Sequence, residues 1–335
     1  MPPKDEIITA SRLSTFRLCQ RKEQIRYRLG YRPVTEEAEA LRFGTLVHVG
    51  LESWWKTRKE VTLFSQPFLA MEEHARLNNI DAFTLEKAKI LLAGYDARWL
   101  DDKLTTLAVE DEFFMPFRPS GKMRNAQNIR LAGKMDVVVK NERGEIFVVE
   151  HKTTSSNIGT GEFYFERLRL DGQISMYMKA ASKKYGYVTG VIYDVIKKIK
   201  LEPLKATPED KRQYLKSDPE KLYAGQRLDD ETPSEYRDRI GREVAGNPDK
   251  YFQRSTVVRF EDDMAEFSAE LEKYVSMMKL SRKDKDHIFP RNPDGCMSYG
   301  KVCDYFGVCS GSESLADEMK FKKHENVHTE LSSVS

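Results

Sequence analysis

Asp136, Glu150 and Lys152 stand where two apolar, β-branched runs flank a short polar turn, and His48 lies in an amphipathic stretch upstream. Two carboxylates brought close together repel, and one of them is pushed toward protonation unless a cation lies between them. Oxygen ligands of this kind suit Mg²⁺ or Mn²⁺, and one imidazole shifts the balance toward Mn²⁺. An ammonium beside them can orient a water or stabilise a pentacoordinate phosphate. Acids, cation and amine together describe metal-assisted attack of water on a phosphodiester. Taken singly, each acid reads better as a solvated strand-end carboxylate, so the elements that carry them decide the matter.

Residues 131–152, LAGKMDVVVKNERGEIFVVEHK, predict a β-hairpin: Val137–Val139 and Ile146–Val149 flank a five-residue loop containing Gly144. A hairpin symmetric about residue 143 places Asp136 directly opposite Glu150, at its open end. Lys152 then shares the face of Glu150, while the His151 side chain points to the other. Upstream, Leu41, Leu46, Val47 and Leu51 followed by Trp54 and Trp55 give a helix over about 38–58, with Gly44, His48 and Glu52 recurring every four residues on one face. A glycine there allows close approach of another backbone. Helices are also expected over about 67–78, 84–101, 164–184 and 262–281, and strands near 187–196 and 251–260. Gln173 and Tyr177, four apart, form either a polar helix stripe or contacts to a nucleic-acid backbone. Residues 200–250 are polar and rich in both charges, which suggests an insertion; within it Thr232-Pro233-Ser234-Glu235 is a capping box that opens a helix. From Ser310 the chain is polar, and a disordered tail is expected.

The 335 residues hold 55 Lys and Arg against 53 Asp and Glu, a net charge of +2, which excludes a bulk polycation but not a local basic stripe. Such a stripe is present at residues 11–32, where Arg12, Arg17, Arg21, Lys22, Arg26, Arg28 and Arg32 face a single acid, Glu23, with Phe16, Tyr27 and Tyr31 interleaved. It suggests a phosphate-contacting surface. With 40% hydrophobic residues and no apolar run of membrane-spanning length, a folded soluble protein of the cytoplasm is expected, with no membrane partner. Cys19 stands alone near one end, and Cys296, Cys303 and Cys309 cluster near the other. Four unrelated thiols are possible on this spacing; so are four thiolates on one zinc or iron–sulfur centre that ties the chain ends together, and the lack of paired CxxC knuckles tilts the reading toward iron–sulfur.

The ordered set Gly44-x-x-x-His48-x-x-x-Glu52, Gly133-x-x-Asp136, Glu150-x-Lys152-Thr153 and Gln173-x-x-x-Tyr177, with one cysteine upstream and three downstream, resembles the RecB-like branch of the PD-(D/E)XK nuclease superfamily. The likeness extends to its iron–sulfur members, among them AddB-type nucleases, CRISPR-associated spacer-acquisition nucleases and phage exonucleases, and spans residues 11–309. It implies an α/β fold: a restriction-endonuclease-like core with a mixed central sheet flanked by helices, plus helical insertions and an iron–sulfur-stapled terminal region. It also implies metal binding by His48, Asp136, Glu150 and the backbone carbonyl of His151, with Asp136, Glu150 and Lys152 as the catalytic residues. Gln173 and Tyr177 would position substrate, helped by Arg17, Arg21 and Lys22 of the basic stripe, and Cys19, Cys296, Cys303 and Cys309 would hold a 4Fe–4S cluster, zinc being the weaker candidate. The cysteine gaps of six and five residues depart from the two-residue first gap of many relatives, and the 200–250 insertion, a potential protein-contact surface, departs from minimal members. The expected organisation is a basic segment (1–37), nuclease core (38–199), polar insertion returning to the core (200–261), helix and cysteine cluster (262–309) and tail (310–335). The implied activity is a Mg²⁺- or Mn²⁺-dependent deoxyribonuclease acting on single-stranded or end-containing DNA, as a phage-type exonuclease in recombination, repair or replication. A CRISPR spacer-acquisition nuclease and a non-catalytic DNA-end-binding module are the alternatives.

Overall fold

The computed structural model describes residues 6–34, 39–60, 65–119, 128–159, 161–283, 289–298 and 301–331. Its strands are β1 (Glu6–Ile8), β2 (Tyr31–Pro33), β3 (Thr105–Pro116), β4 (Ile129–Lys140), β5 (Ile146–Thr154), β6 (Val188–Lys197), β7 (Tyr214–Leu215), β8 (Asp218–Leu222), β9 (Phe252–Val257), β10 (Met297–Ser298), β11 (Lys301–Val302) and β12 (Phe321–Lys323). Its helices are α1 (Ala10–Leu18), α2 (Gln20–Glu23), α3 (Glu39–Thr57), α4 (Gln66–Leu77), α5 (Ala82–Trp99), α6 (Phe163–Leu168), α7 (Gly172–Tyr185), α8 (Pro233–Gly246), α9 (Pro248–Tyr251), α10 (Glu261–Lys283) and α11 (Phe306–Ser310). No helix among the described residues is long and apolar enough to cross a membrane.

Strands β1, β3, β4, β5, β6 and β9 form one mixed sheet, parallel at β1–β4 and β5–β6 and antiparallel at the other pairings. Leu13, Phe16, Ile174, Met178, Phe267 and Val275 bring α1, α7 and α10 onto one face. Leu46, Leu51, Trp55, Met71, Leu91, Tyr95, Ile240 and Val244 bring α3, α4, α5 and α8 onto the other. The mixed α/β architecture expected from the sequence is therefore present, as three layers with a core on each side of the sheet.

The hairpin pairs in the expected register: Val137 opposes Val149, Val138 Val148, Val139 Phe147 and Lys140 Ile146. Its loop is closed by Asn141, whose Oδ1 accepts from Arg143 N at 3.0 Å and Glu145 N at 2.9 Å, with Gly144 in the left-handed region at φ +83°. Beyond Val137 the two strands separate. Strand β3 covers one edge of β4 from Arg130 to Lys140, while the other edge is shared between β5, at Val137–Lys140, and β1, at Ile129–Leu131. Residues Ala132–Asp136 lie between those two partners. The facing of β4 also switches there: Met135 joins the core beneath α7, whereas Val137 joins the core beneath α3. Strict alternation would put both on one side, so the local break is what releases Asp136 from the ladder.

Three parts of the chain differ from expectation. The helix expected over 164–184 is two, because Asp171 takes an extended conformation and caps α7, accepting from Gln173 N at 2.9 Å. The 200–250 stretch divides: β7 and β8 form a surface hairpin, but α8 buries Tyr236, Ile240 and Val244, and its capping box at Thr232 and Glu235 is formed as read. The segment expected to be a disordered tail is instead docked through residue 331. Strand β12 pairs antiparallel with β2, Phe321 and Leu331 are buried, and Arg32 Nη2 donates to the Val327 carbonyl at 2.9 Å. Sparse apolar residues concealed this, because the docking is mostly backbone pairing plus two anchors. Residues 332–335 of the expected tail lie outside the described residues.

Candidate active site

Where β4 and β5 part, a cavity of about 800 Å³ opens, lined by His48, Glu52, Glu110, Lys134, Asp136, Glu150, His151 and Lys152 among others. Asp136 reaches across the gap, its Oδ2 accepting from His151 N at 2.8 Å, with His48 Nδ1 3.9 Å from its Oδ1. Glu150 is 4% exposed. Its Oε1 accepts from Lys152 Nζ at 2.6 Å and from Gln173 Nε2 at 2.8 Å, whereas its Oε2 is buried with no hydrogen-bond partner. Gln173 also accepts from Lys152 Nζ at 3.2 Å through Oε1, and its Nε2 donates to the Tyr177 hydroxyl at 2.9 Å. The structure thus brings Asp136, Glu150, Lys152, His48, Gln173 and Tyr177 to one locus. The carboxamide of Gln173 bridges acid and amine, so the polar stripe of α7 faces the site.

The electrostatics follow from burial. Asp136 is raised to about 7 by burial and the nearby Glu110 carboxylate, against the His151 N–H. Glu150 is raised to about 7 by burial and by Asp136, against the Lys152 ammonium. Burial alone would lower Lys152, yet the adjoining Glu150 carboxylate wins and holds it protonated. Burial lowers His48, leaving a neutral imidazole with a lone pair. A buried acid with an orphaned oxygen and a half-buried one, beside a neutral imidazole, are a donor set short of positive charge, and a hard divalent cation fits that deficit. Among the described residues no three His, Cys, Asp or Glu side chains close on a common point tightly enough to hold an ion as they stand.

Two glycines of the sequence pattern are explained by contacts. A Cβ on Gly133 would lie 2.9 Å from the Phe113 ring and 3.0 Å from the Tyr177 ring, and one on Gly44 would lie 3.3 Å from Thr153 Oγ1. Gly44 therefore lets α3 close on β5 just beyond Lys152. The His151 side chain points away from the acids, as its parity requires. It sits between Trp55 and Tyr95, each with ring centroids 6.2 Å away, and 3.6 Å from Asp194 Oδ2, with both ring nitrogens lacking hydrogen-bond partners.

Sequence reasoning passed over Glu110, Lys134, Lys198, Lys301, Thr329 and Glu330, all of which line the cavity. Lys134 was findable, since it lies two residues before Asp136 on the same strand. Glu110 adopts φ +53° within β3 and is ion-paired to Lys134; the run Glu110-Asp111-Glu112 masked the strand that carries it. Thr329 and Glu330 belong to the segment expected to be disordered.

The basic stripe is only in part a surface. Arg12 and Arg28 clamp the fully buried Glu23, each at 2.8 Å, and Arg21 donates to the Phe289 carbonyl at 3.1 Å. The single acid among seven bases is thus a core ion-pair centre. Arg17 packs over Tyr274, and neither it nor Arg21 nor Lys22 lines the cavity that holds Asp136 and Glu150.

The four cysteines are half-buried free thiols. Contacts between the chain ends bring them into one neighbourhood: Asn292 Nδ2 donates to the Leu18 carbonyl at 2.8 Å, Arg291 Nη1 to the Cys309 carbonyl at 2.6 Å, and Cys303 N to the Cys296 carbonyl at 2.8 Å. The Cys309 thiol is raised by burial, opposed by Arg21 and reinforced by Cys19, Cys303 and Cys296. Cys19, Cys303 and Cys296 are thus each within electrostatic reach of Cys309, but among the described residues no three of these thiols close on a common point as a metal-holding group.

A sequence model of the PD-(D/E)XK nuclease superfamily matches residues 7–310. No curated protein matches the sequence. Among solved structures, the protein SSO0001 is similar at 12% identity with a TM-score of 0.29, over 83% of this chain and 79% of that one. A protein from Eubacterium rectale described as a "Putative exonuclease" is similar at 10% identity with a TM-score of 0.45, over 92% of this chain and 89% of that one.

Proposed function

This chain belongs to the PD-(D/E)XK nuclease superfamily, and on that premise we propose that it is a Mg²⁺- or Mn²⁺-dependent deoxyribonuclease of the RecB-like branch, acting as an exonuclease in phage-type DNA recombination, repair or replication. The carrying observation is the buried, partnerless Oε2 of Glu150 in the same cavity as the raised Asp136 carboxylate. Retention of both acids and the lysine weighs against a non-catalytic DNA-end-binding module. Lys301, Thr329 and Glu330 form part of the cavity wall, and the exonuclease reading takes that wall as the limit on entry of an uninterrupted duplex.

A divalent cation held by Asp136, Glu150, His48 and the His151 carbonyl would supply phosphate charge neutralisation and a water of lowered pKa. Lys152 presents a protonated ammonium, fixed by Glu150 and Gln173, beside the developing phosphate charge. Gln173 locks Glu150 and Lys152 relative to each other, and Tyr177 anchors Gln173 from behind. The test is digestion of end-labelled linear and circular single-stranded and double-stranded DNA with Mn²⁺ and with chelator. Linear substrates should be degraded from their ends only when the metal is present; cleavage of closed circles at the same rate would rule out exonuclease action.

The cysteines, in this proposal, hold a 4Fe–4S cluster that staples Cys19 to the 296–309 segment and takes no part in hydrolysis. Cys19→Ser should abolish absorbance near 400 nm and lower Tm, since it removes a link between distant parts of the chain. A colourless wild type carrying stoichiometric zinc would replace the cluster by a zinc site. An unchanged spectrum in the variant would remove Cys19 from the ligand set.

A further inference from the structure

The catalytic cavity contains five carboxylates, Glu52, Glu110, Asp136, Glu150 and Glu330, against four lysines, two of which are already ion-paired within it to Glu110 and Glu150. Even with a divalent cation bound, such a chamber offers little attraction to the phosphates that flank the one being cut, and those phosphates govern affinity. The structure places a compensating charge next door. Strands β5 and β6 run parallel and in register to Thr154 opposite Lys197, and Lys198 N donates to the Thr154 carbonyl at 2.8 Å, so the two chains leave the sheet side by side. Immediately beyond them is a second cavity, of about 390 Å³, lined by Phe43, Thr84, Lys87, Ser155, Lys198, Ile199, Lys200 and Glu202. It has three ammonium groups against one carboxylate, Glu202, which pairs with Lys87 at 3.0 Å.

Lys198 borders both cavities, and its ammonium sits 5.4 Å from the centroid of Phe43 on the floor of the second. Thr153 faces the first cavity and Ser155 the second, so one short stretch of chain after Lys152 connects them. On the other side of the catalytic chamber stands Glu330, whose carboxylate accepts from Thr9 Oγ1 at 2.7 Å and lies 3.5 Å from His328 Nδ1. A fixed anion there disfavours passage of a polyanion.

We propose that the cavity lined by Lys87, Lys198 and Lys200 is a backbone-phosphate subsite for the nucleotide adjoining the scissile bond, so that the substrate strand runs from Asp136 and Glu150 across Lys198 toward Lys200. The inference rests on the nuclease reading and gives the strand its direction across the surface. It moves the main phosphate track away from the basic N-terminal segment, whose arginines are partly spent on Glu23.

The experiment is fluorescence anisotropy of an end-labelled thymidine oligonucleotide of about a dozen residues, titrated in chelator with wild type, Lys198→Ala/Lys200→Ala, the single charge reversal Lys200→Glu, and Arg17→Ala. Loss of two phosphate contacts should weaken binding about tenfold at ~0.1 M salt and reduce the slope of log K against log salt by about 1.4 for a single strand. Lys200 is exposed, so its reversal leaves the fold intact and should weaken binding in the same direction. Unchanged affinity and slope in the lysine variants, or a reduced slope in Arg17→Ala alone, overturns the proposal. Because binding is measured without turnover, a protein that binds through these lysines yet never cleaves would refute the nuclease reading and leave the subsite standing.

Discussion

Asp136→Asn should reduce the rate of DNA cleavage about a thousandfold, equivalent to ~4 kcal/mol of transition-state stabilisation, and in chelator at pH 8 it should make the protein more stable. The two effects have one cause. Asp136 and Glu150 are raised to about 7 by burial and by neighbouring carboxylates. A group with a raised folded-state pKa contributes its stability below its unfolded value, near 4, and that contribution is lost as pH rises through the folded value. At pH 8 without metal both acids are ionised and repelling, Glu150 in a buried position. Replacing one by a neutral isostere that can still accept from His151 N removes that cost, worth about 1–3 kcal/mol or roughly 2–6 °C in Tm. At pH 4 the wild type is itself protonated and the advantage should vanish. Thermal melts of both proteins at the two pH values, in chelator, check it; equal Tm at pH 8 would mean the acids are not strained toward a cation.

Arg254→Met should have the largest effect on stability. Asp194 is fully buried on β6, where its Oδ2 accepts from Tyr95 OH at 2.5 Å and from Arg254 Nε at 3.0 Å. Arg254 also reaches Asp102 at 2.6 Å and stacks 4.1 Å from the Trp99 ring centroid, while Arg58 pairs with the same Asp102 between Trp54 and Trp55. Two acids and two guanidiniums balance in a layer of aromatic rings directly behind His151. Removing Arg254 leaves the Asp194 charge buried, at a cost of about 3–5 kcal/mol near neutral pH. Burial already raises Asp194, and losing its counter-charge raises it further, so the variant should recover as pH falls and the acid takes up a proton. The double variant Arg254→Met/Asp194→Asn should regain most of the loss. Urea unfolding of the three proteins at pH 8 and pH 5 measures both points, and a single variant as stable as wild type would show that the network carries no net stabilisation.

How far the site could be read from residues alone depended on how local the determinant was. The register of the hairpin follows from the Asn141–Glu145 loop, and with it the common side of Lys152 and the opposite side of His151; the expected direct pairing of Asp136 with Glu150 is not formed, because the strands part beyond Val137 and Asp136 accepts from His151 N instead. Apolar period and capping likewise exposed α3, α5 and α8. What stayed hidden was set by distant partners. Strand β3 carries three consecutive acids, Glu110 to Glu112, that look like loop until Lys134 and Lys184 are seen to neutralise two of them. The 310–331 segment has few apolar residues, and its order comes from pairing with β2 and from Thr9, Arg32 and Gly30 near the other terminus. The basic stripe looked free because Glu23, its only acid, gives no sign in sequence of gathering two arginines around itself. Asp194 and Arg254, 60 residues apart, meet only because β6 pairs with β9.

The most direct test of the central claim is Mn²⁺ binding followed by electron paramagnetic resonance, in wild type, Asp136→Asn and Glu150→Gln at pH 8. Mn²⁺ should bind at the acid pair in wild type and lose at least about tenfold in affinity in either variant. Equal Mn²⁺ affinity in all three proteins would show that Asp136 and Glu150 do not share a cation, and the proposed hydrolytic centre would have to be sought elsewhere in the molecule.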